Sequence, residues 1–307
     1  MLVSVCTPTF NRRPFIPYMF ECFKHQTYKG HVEWIIIDDG TDKIEDLILS
    51  SGIPNIKYYK IEQKISLGKK RNLMHSYAKG DIIIYMDDDD YYPPERISHA
   101  VEQLQNNPTI LCAGSTILYT YFKDIDKIVQ FGPYGPNHAT AATFAFRKEL
   151  LSITSYEENA AMSEEKYFLK NYTIPIIQLD PKKVILVISH SQNTFDKRML
   201  LNGQNQPTVT YTPLFVRDFI RETKLYQFYI HDIHINLSSY IPGNPSMKPD
   251  VIAHINQKQQ ERNFSIKFGD KILQGNEIVQ HLNQQQQYIK LLTEKIKNLE
   301  LKLKSFE

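Results

Sequence analysis

The first ninety residues alternate between two hydrophobic patterns, and this alternation restricts the fold more than any other feature of the chain. Residues 2–6, 34–37, 56–61 and 81–86 are short runs rich in β-branched and aromatic side chains. Between them, residues 15–25, 44–49 and 68–78 carry apolar side chains at helical spacing. Strands that are apolar at successive positions need cover on both faces, and a mainly parallel sheet flanked by helices supplies it. The expected fold class is therefore α/β, with a Rossmann-like, mixed but mainly parallel sheet. In such sheets ligands bind beyond the carboxyl ends of the strands. The polar residues after each strand are then the ones that matter: Thr7-Pro8-Thr9-Phe10-Asn11-Arg12, Asp38-Asp39-Gly40-Thr41-Asp42, and Asp87-Asp88-Asp89-Asp90.

Composition narrows the function classes. A net charge of +2 over 307 residues argues against a surface built to coat nucleic acid. Cys6, Cys22 and Cys112 are scattered and unpaired in spacing, as expected of thiols in a reducing compartment. No run of about 18 apolar residues occurs, and the N-terminus lacks the basic-then-apolar order of a signal peptide. These features predict a soluble, cytoplasmic protein with no membrane span.

From residue 110 to 190 strand-like runs (110–122, 128–131, 176–179, 184–189) alternate with polar loops and a short helix at 163–171. Residues 213–229 read as helical, and 240–249, rich in Pro, Gly, Asn and Ser, as a linker. The C-terminus is the most regular part. Leu282, Ile289, Leu292, Ile296, Leu299, Leu303 and Phe306 follow heptad spacing among Lys, Glu, Asn and Gln. Such a seam predicts a coiled coil and self-association through residues 278–306; the alternative is an amphipathic helix lying on its own domain. The Gln284–Gln287 stretch inside it has no evident chemistry. The expected organisation is a domain over 1–200 (halves 1–110 and 111–200), an accessory region at 201–276 and a coiled-coil helix at 277–307.

Four consecutive aspartates after an apolar strand repel one another unless a cation is present. A hard divalent ion with oxygen ligands removes that penalty; the bland alternative is a solvated acidic turn. Pro94 suits an early helical position, so a helix start would hold the loop.

The pieces LVSVCTPTFNR, WIIIDDGTD, SLGKKRN and IIIYMDDDDYYPPERI, in this order, resemble the family 2 glycosyltransferases of the GT-A fold. The resemblance is strong over residues 1–110 and looser over 110–198; residues 136–198 also look like glycosyltransferases of large DNA viruses, which would place the protein in host cytoplasm or a virion. It implies a metal-dependent, inverting transfer of a sugar from a nucleotide sugar, with a UDP-sugar expected, to a glycan or protein hydroxyl. By the same resemblance Asp89 binds Mn²⁺ or Mg²⁺, Asp87 faces the ribose and the metal, and Asp88 and Asp90 stand behind them. Thr7, Pro8, Thr9, Asn11, Arg12 and Asp39 surround the nucleoside, with Lys69, Arg71 and Asn72 nearby. For Lys69 and Lys70 a solvated helix face is the competing interpretation. The Gly68-Lys69 pair is not a phosphate loop, because the upstream glycine and the hydroxyl residue after the lysine are missing.

An inverting transfer needs a carboxylate that takes the proton of the attacking hydroxyl. Glu164-Glu165 resembles the family's Glu-Asp pair at the start of the acceptor helix, with Glu165 standing where Asp is usual. Glu165 is the favoured base and Glu164 the alternative; both could instead stabilise a helix N-terminus. His138 precedes the small-residue run 139–145 that in the family lines the sugar. His190, at a strand end, is a candidate third metal ligand, with Lys197 or Arg198 as the contact to the diphosphate. Two other classes compete: a nucleotidyltransferase, which would want a Gly- and Arg-rich loop after the first strand, and a non-catalytic scaffold oligomerised by its coiled coil.

Overall fold

The computed structural model describes residues 1–161, 164–194, 196–201, 207–263, 265–268, 271–274 and 276–303. Two compact units divide the chain, Met1–Asp250 and Val251–Glu307. Residues 201–250 thus belong to the same unit as the N-terminal sheet.

The first unit begins β1 (Leu2–Thr9), α1 (Ile16–Lys24), β2 (His31–Asp38), α2 (Glu45–Ser50), β3 (Ile56–Lys60), α3 (Leu67–Tyr77), β4 (Ile82–Tyr85) and α4 (Arg96–Asn106). The pattern of the first ninety residues is therefore realised element by element. It continues with β5 (Cys112–Gly114), β6 (Leu118–Phe122), β7 (Lys127–Phe131), β8 (Ala145–Arg147), α5 (Glu165–Phe168), β9 (Ile176–Gln178), β10 (Leu186–Ser189) and β11 (Val209–Tyr211). A seven-stranded sheet runs β3-β2-β1-β4-β8-β5-β9. Its β3-β2-β1-β4 half is parallel, while β8 runs antiparallel to both neighbours. A second, four-stranded sheet runs β10-β6-β7-β11.

The run 110–122 does not form one strand. Ser115 and Thr116 break it, so that β5 joins the first sheet and β6 the second. The Ser115 amide donates to Thr143 Oγ1 (2.9 Å) and the Thr116 amide to Gln178 Oε1 (2.9 Å), which replaces ladder bonds with side-chain bonds and lets the chain change sheets. The helix expected at 163–171 is a single turn, α5, followed by Lys170, Asn171 and Tyr172 at positive φ (48°, 55° and 62°); Ser163 lies outside the described residues.

Alternate residues of the strands fill two cores. Val3, Val5, Trp34, Ile36, Ile82 and Ile84 pack with α1 and α4 on one face. Cys6, Ile35, Ile37, Ile83 and Tyr85 pack on the other face with Met74, Phe144, Phe146 and Phe168. All three cysteines are buried and free.

Residues 213–229 are less regular than expected: α6 (Thr223–Gln227) leads through a π-helical turn at Phe228–Asp232 into α7 (Ile233–Ser238). The stretch 240–249, expected to be a linker, is fastened to the N-terminal loops and to Gln192, which follows β10. Tyr240 Oη donates to Asp42 (2.8 Å), Asn11 Nδ2 to the Pro242 carbonyl (2.9 Å) and Gln192 Nε2 to the Tyr240 carbonyl (2.6 Å).

The remaining elements are α8 (Pro249–Asn263), the β12 (Ser265–Phe268)–β13 (Lys271–Gln274) hairpin and α9 (Asn276–Leu303). The heptad residues Leu282, Ile289, Leu292, Ile296 and Leu299 on α9 are 42–61% exposed in the single chain. Phe306 falls outside the described residues, and so does the last part of the expected 278–306 seam. Among the described residues no helix is long and apolar enough to cross a membrane.

Candidate active site

The three strand-end loops meet at one edge of the first sheet. The register pairs Thr9 with Asp38 and Cys6 with Tyr85, so β1, β2 and β4 end side by side. Asp87–Asp90 follow β4 directly, and Tyr91 then pairs with Leu186 of β10 through two backbone hydrogen bonds (3.1 and 2.9 Å). The acidic loop thus bridges the two sheets.

Each aspartate has a separate environment. Asp87 has a 3.8 Å ion pair with Arg71, and its amide donates to Tyr92 Oη (2.7 Å). Asp88 and Asp89 face the buried Arg12 at 3.6 and 3.2 Å. Asp90 is turned inward: its Oδ1 accepts from the Ile188 amide (2.9 Å) and its carbonyl from Tyr229 Oη (2.8 Å). Burial raises Asp87, raises Asp88 to about 7 with help from the neighbouring Asp89 charge, and pushes Asp90 well up. Asp89 differs. Burial pushes it up too, but Arg12 and His190 outweigh burial and hold it well below the usual range. Three of the four carboxylates are thus pushed up, chiefly by burial, and only Asp89 is held down by its cationic and hydrogen-bonding neighbours.

His190 stands at the end of β10 with Nε2 3.3 Å from Asp89 Oδ2. Asn193 holds it, taking the His190 amide on Oδ1 and placing Nδ2 2.8 Å from Nε2. Burial lowers its pKa to about 4, so the ring is neutral at physiological pH. A neutral imidazole and an ionised carboxylate are donors that Mn²⁺ accepts. Adjacent ligand atoms of a six-coordinate ion lie about 3 Å apart, close to the Asp89–His190 separation. An ion between them would replace the contact they now make. The buried Oδ1 of Asp87 and Oδ2 of Asp88 have no hydrogen-bond partner. The donor set and these unpartnered buried oxygens fit a divalent cation, although among the described residues no three His, Cys, Asp or Glu groups already converge on one point.

Arg71 links this cluster to the expected acceptor side. Its guanidinium is buried over the Tyr85 ring (4.3 Å), and its Nε donates to Glu164 (2.9 Å) while Nη2 approaches Asp87. Glu164 is buried, whereas its neighbour Glu165 is half-buried. Burial and the Glu164 charge raise Glu165 to about 7. His138 is half-buried between Tyr134 (4.8 Å) and Tyr172 (5.0 Å), with Nδ1 3.4 Å from the Thr116 hydroxyl. Burial lowers its pKa.

Several expected donor contacts have other tasks. Thr7 is buried, and its hydroxyl donates to the Met86 carbonyl (2.6 Å) and accepts from Trp34 Nε1 (2.9 Å). Pro8 lies beside it on β1, half-buried, and Thr9 is buried. Asn11, at φ 52°, uses Oδ1 to accept from the Asp42 amide (2.9 Å). Asp39 is buried with both oxygens committed, one to Lys70 and the other to the Ile65 amide (2.9 Å). Asn72 clasps Tyr156 by both backbone groups (2.9 Å each) and so fixes a loop.

Two expectations need correction. Lys69 is exposed; the helical turn of α3 sends the next two residues, Lys70 and Arg71, into the site instead. Arg198 does not reach the cluster, because Asp196 takes its Nε and Nη2 at 2.9 Å each and Asp124 adds a surface contact at 3.4 Å. Lys197 is the nearer cation, and its charge acts on Asp87, Asp89 and Asp90.

Sequence reasoning also missed two buried cations. Arg96 is fully buried beneath the loop and donates to the Tyr85 (3.1 Å) and Phe144 (2.7 Å) carbonyls. Lys248, from the stretch expected to be a linker, is buried near Arg12, Asp88 and Asp89. No local motif marks either; the helical phase of α4, which buries Arg96 with Ile97 and Ala100, was the available signal for the first.

Comparison with known proteins agrees with this architecture. Residues 4–158 match the family model described as glycosyl transferase family 2, and the chain belongs to that family. An uncharacterized glycosyltransferase of Haemophilus influenzae is 28% identical over 109 residues, 36% of this chain and 36% of that protein. One from Rickettsia typhi is 29% identical over 121 residues, covering 38% and 37% of the two chains. The matched region spans little more than a third of the length of these relatives. Among solved structures, a mannosyltransferase from Pyrobaculum calidifontis in complex with GDP-Man and Mn²⁺ superposes with a TM-score of 0.50 at 14% identity, covering 84% of this chain and 75% of that one. At that identity the likeness concerns the fold alone: a mixed, mainly parallel α/β sheet of GT-A type flanked by helices.

Proposed function

We propose that this chain transfers a sugar from a nucleoside-diphosphate sugar to a hydroxyl acceptor with inversion, using the acidic loop on the donor side and Glu165 as base. The carrying observation is the Asp87–Arg71–Glu164 bridge, with ion-pair distances of 3.8 and 2.9 Å. One guanidinium ties the acidic loop of the donor side to the helix start that carries the candidate base.

The residues take distinct roles in this proposal. Asp89, Asp87 and His190 would hold Mn²⁺ or Mg²⁺, with Asp87 also facing the ribose. The ion, when bound, neutralises the departing diphosphate as a Lewis acid. Arg12 fixes Asp88 and Asp89 in position. The loop from Pro8 to Arg12 borders the nucleoside. Glu164 is locked to Arg71 and positions the acceptor helix. Glu165 is free of ion pairs among the described residues, and its pKa near 7 suits a general base at neutral pH. As it takes the proton of the acceptor hydroxyl, the hydroxyl oxygen attacks the anomeric carbon and the diphosphate leaves. The donor is proposed to be a UDP-sugar and the acceptor a glycan or protein hydroxyl, with chains assembling through α9.

The test is a thermal-shift screen of UDP- and GDP-sugars with and without Mn²⁺, followed by detection of released nucleoside diphosphate. Metal-dependent stabilisation by one nucleotide class is expected. No stabilisation by any of them would overturn the proposal.

A further inference from the structure

The 240–250 stretch lies wholly outside the region that matches the family model, yet it is fastened to residues that follow β1, β2 and β10. Besides the Tyr240, Pro242 and Gln192 contacts, Lys64 pairs with Asp250 at 2.5 Å. Gly243 is packed so closely that a Cβ there would overlap the Gln192 side chain and press on the Asn11 carbonyl. The stretch delivers one cation, Lys248, which is 6% exposed.

Burying an ammonium group is costly unless an opposite charge or several acceptors compensate. Among the described residues the Lys248 ammonium has one hydrogen-bond partner, the Thr194 hydroxyl at 2.8 Å. Arg12, Lys70 and Arg71 each have a carboxylate within 4 Å; among the described residues Lys248 has none. Four groups act on it electrostatically: Asp88 and Asp89 attract it, and Arg12 and Lys70 repel it. It therefore stands beside the acidic cluster without being neutralised by it. The departing nucleoside diphosphate, whose terminal phosphate is a monoester, carries more negative charge than one divalent ion cancels; of the site's other buried cations, Arg12, Lys70 and Arg71 face carboxylates and Arg96 donates to backbone carbonyls.

We propose that Lys248 binds the diphosphate of the donor, so that a segment beyond the family-matched region completes the donor site. This rests on the transferase reading above. An ammonium on a flexible stem suits a phosphate oxygen, to which it donates a charge-assisted hydrogen bond. The Thr194 hydroxyl holds it in place until the donor arrives.

The experiment is calorimetric titration of the full chain, with Mn²⁺, by UDP and GDP and by the matching nucleosides. It compares the natural protein with Lys248→Met and Lys248→Arg. A lost charge-assisted bond predicts roughly ten- to hundredfold weaker diphosphate binding. The nucleoside should bind the methionine variant as before, and the arginine variant should recover most of the loss. Should Lys248→Met fail to fold, Lys248→Gln retains a donor for Thr194 and serves the same comparison. Unchanged diphosphate affinity, or an equal loss for diphosphate and nucleoside, overturns the assignment and makes Lys248 a structural balance to the aspartates. If the natural protein binds neither diphosphate, the transferase reading falls and this assignment with it.

Discussion

Glu164 and Glu165 are adjacent in the chain and chemically identical, yet their surroundings differ. Glu164 is buried against Arg71, while Glu165 is half-buried and raised to about 7. Glu165→Gln should leave nucleotide binding intact and lower kcat by about 10²–10⁴-fold, the usual contribution of a general base. A persistent rate, with collapse in Glu164→Gln instead, would reverse the two roles. The sign of the pH effect follows from the raised pKa. A base works only when unprotonated, so the rate should climb with pH and level off above about 7; a profile flat from pH 5 upward would remove Glu165 from the mechanism. Asp89→Ala should abolish the Mn²⁺-dependent part of thermal stabilisation by nucleoside diphosphates, while the metal-free protein stays folded. The aspartate loop and both glutamates could be found by reading along the chain, because each sits where an element begins or ends. The inward turn of Lys70 in place of Lys69, and the capture of Arg198 by Asp196, depend on side-chain direction, which motif spacing does not carry.

At the scale of elements, α3 shows what a local pattern conceals. Gly68 opens this helix against the 157–160 loop, and a Cβ there would overlap the Glu157 carbonyl oxygen, a backbone atom that cannot swing aside. Gly68→Ala should therefore destabilise the fold by about 1–3 kcal/mol, as overpacking commonly does. The loss should be visible as a lower midpoint in urea; a midpoint equal to that of the natural protein would show that the loop has room to move. From the sequence, Gly68 was merely a neighbour of three cations, since its contact lies about ninety residues away. The break between β5 and β6 was hidden for the same reason. Ser115 and Thr116 leave the strand because Thr143 and Gln178 offer them partners, and those partners come from other parts of the fold.

For the whole molecule, the exposed heptad face of α9 leads to a prediction about assembly. Leucine and isoleucine side chains left 42–61% exposed at regular spacing gain stability when a second helix covers them. Ending the chain after residue 276 should lower the mass seen by light scattering to that of a monomer; an unchanged mass would place the self-association elsewhere. The sequence by itself determined the order of the first seven elements, the α/β class and the strand ends at which acids and cations gather. Those features follow from short-range hydrophobic period and from the polar residues that terminate it. Tertiary structure alone decided which of these charged groups face one another. It turned Asp90 away from the cluster, joined Asp87 to Glu164 through Arg71, and brought Lys248 beside Asp88 and Asp89 from some 160 residues away. Ion pairing and burial depend on distance through space, and no periodicity along a chain records which distant loops will meet.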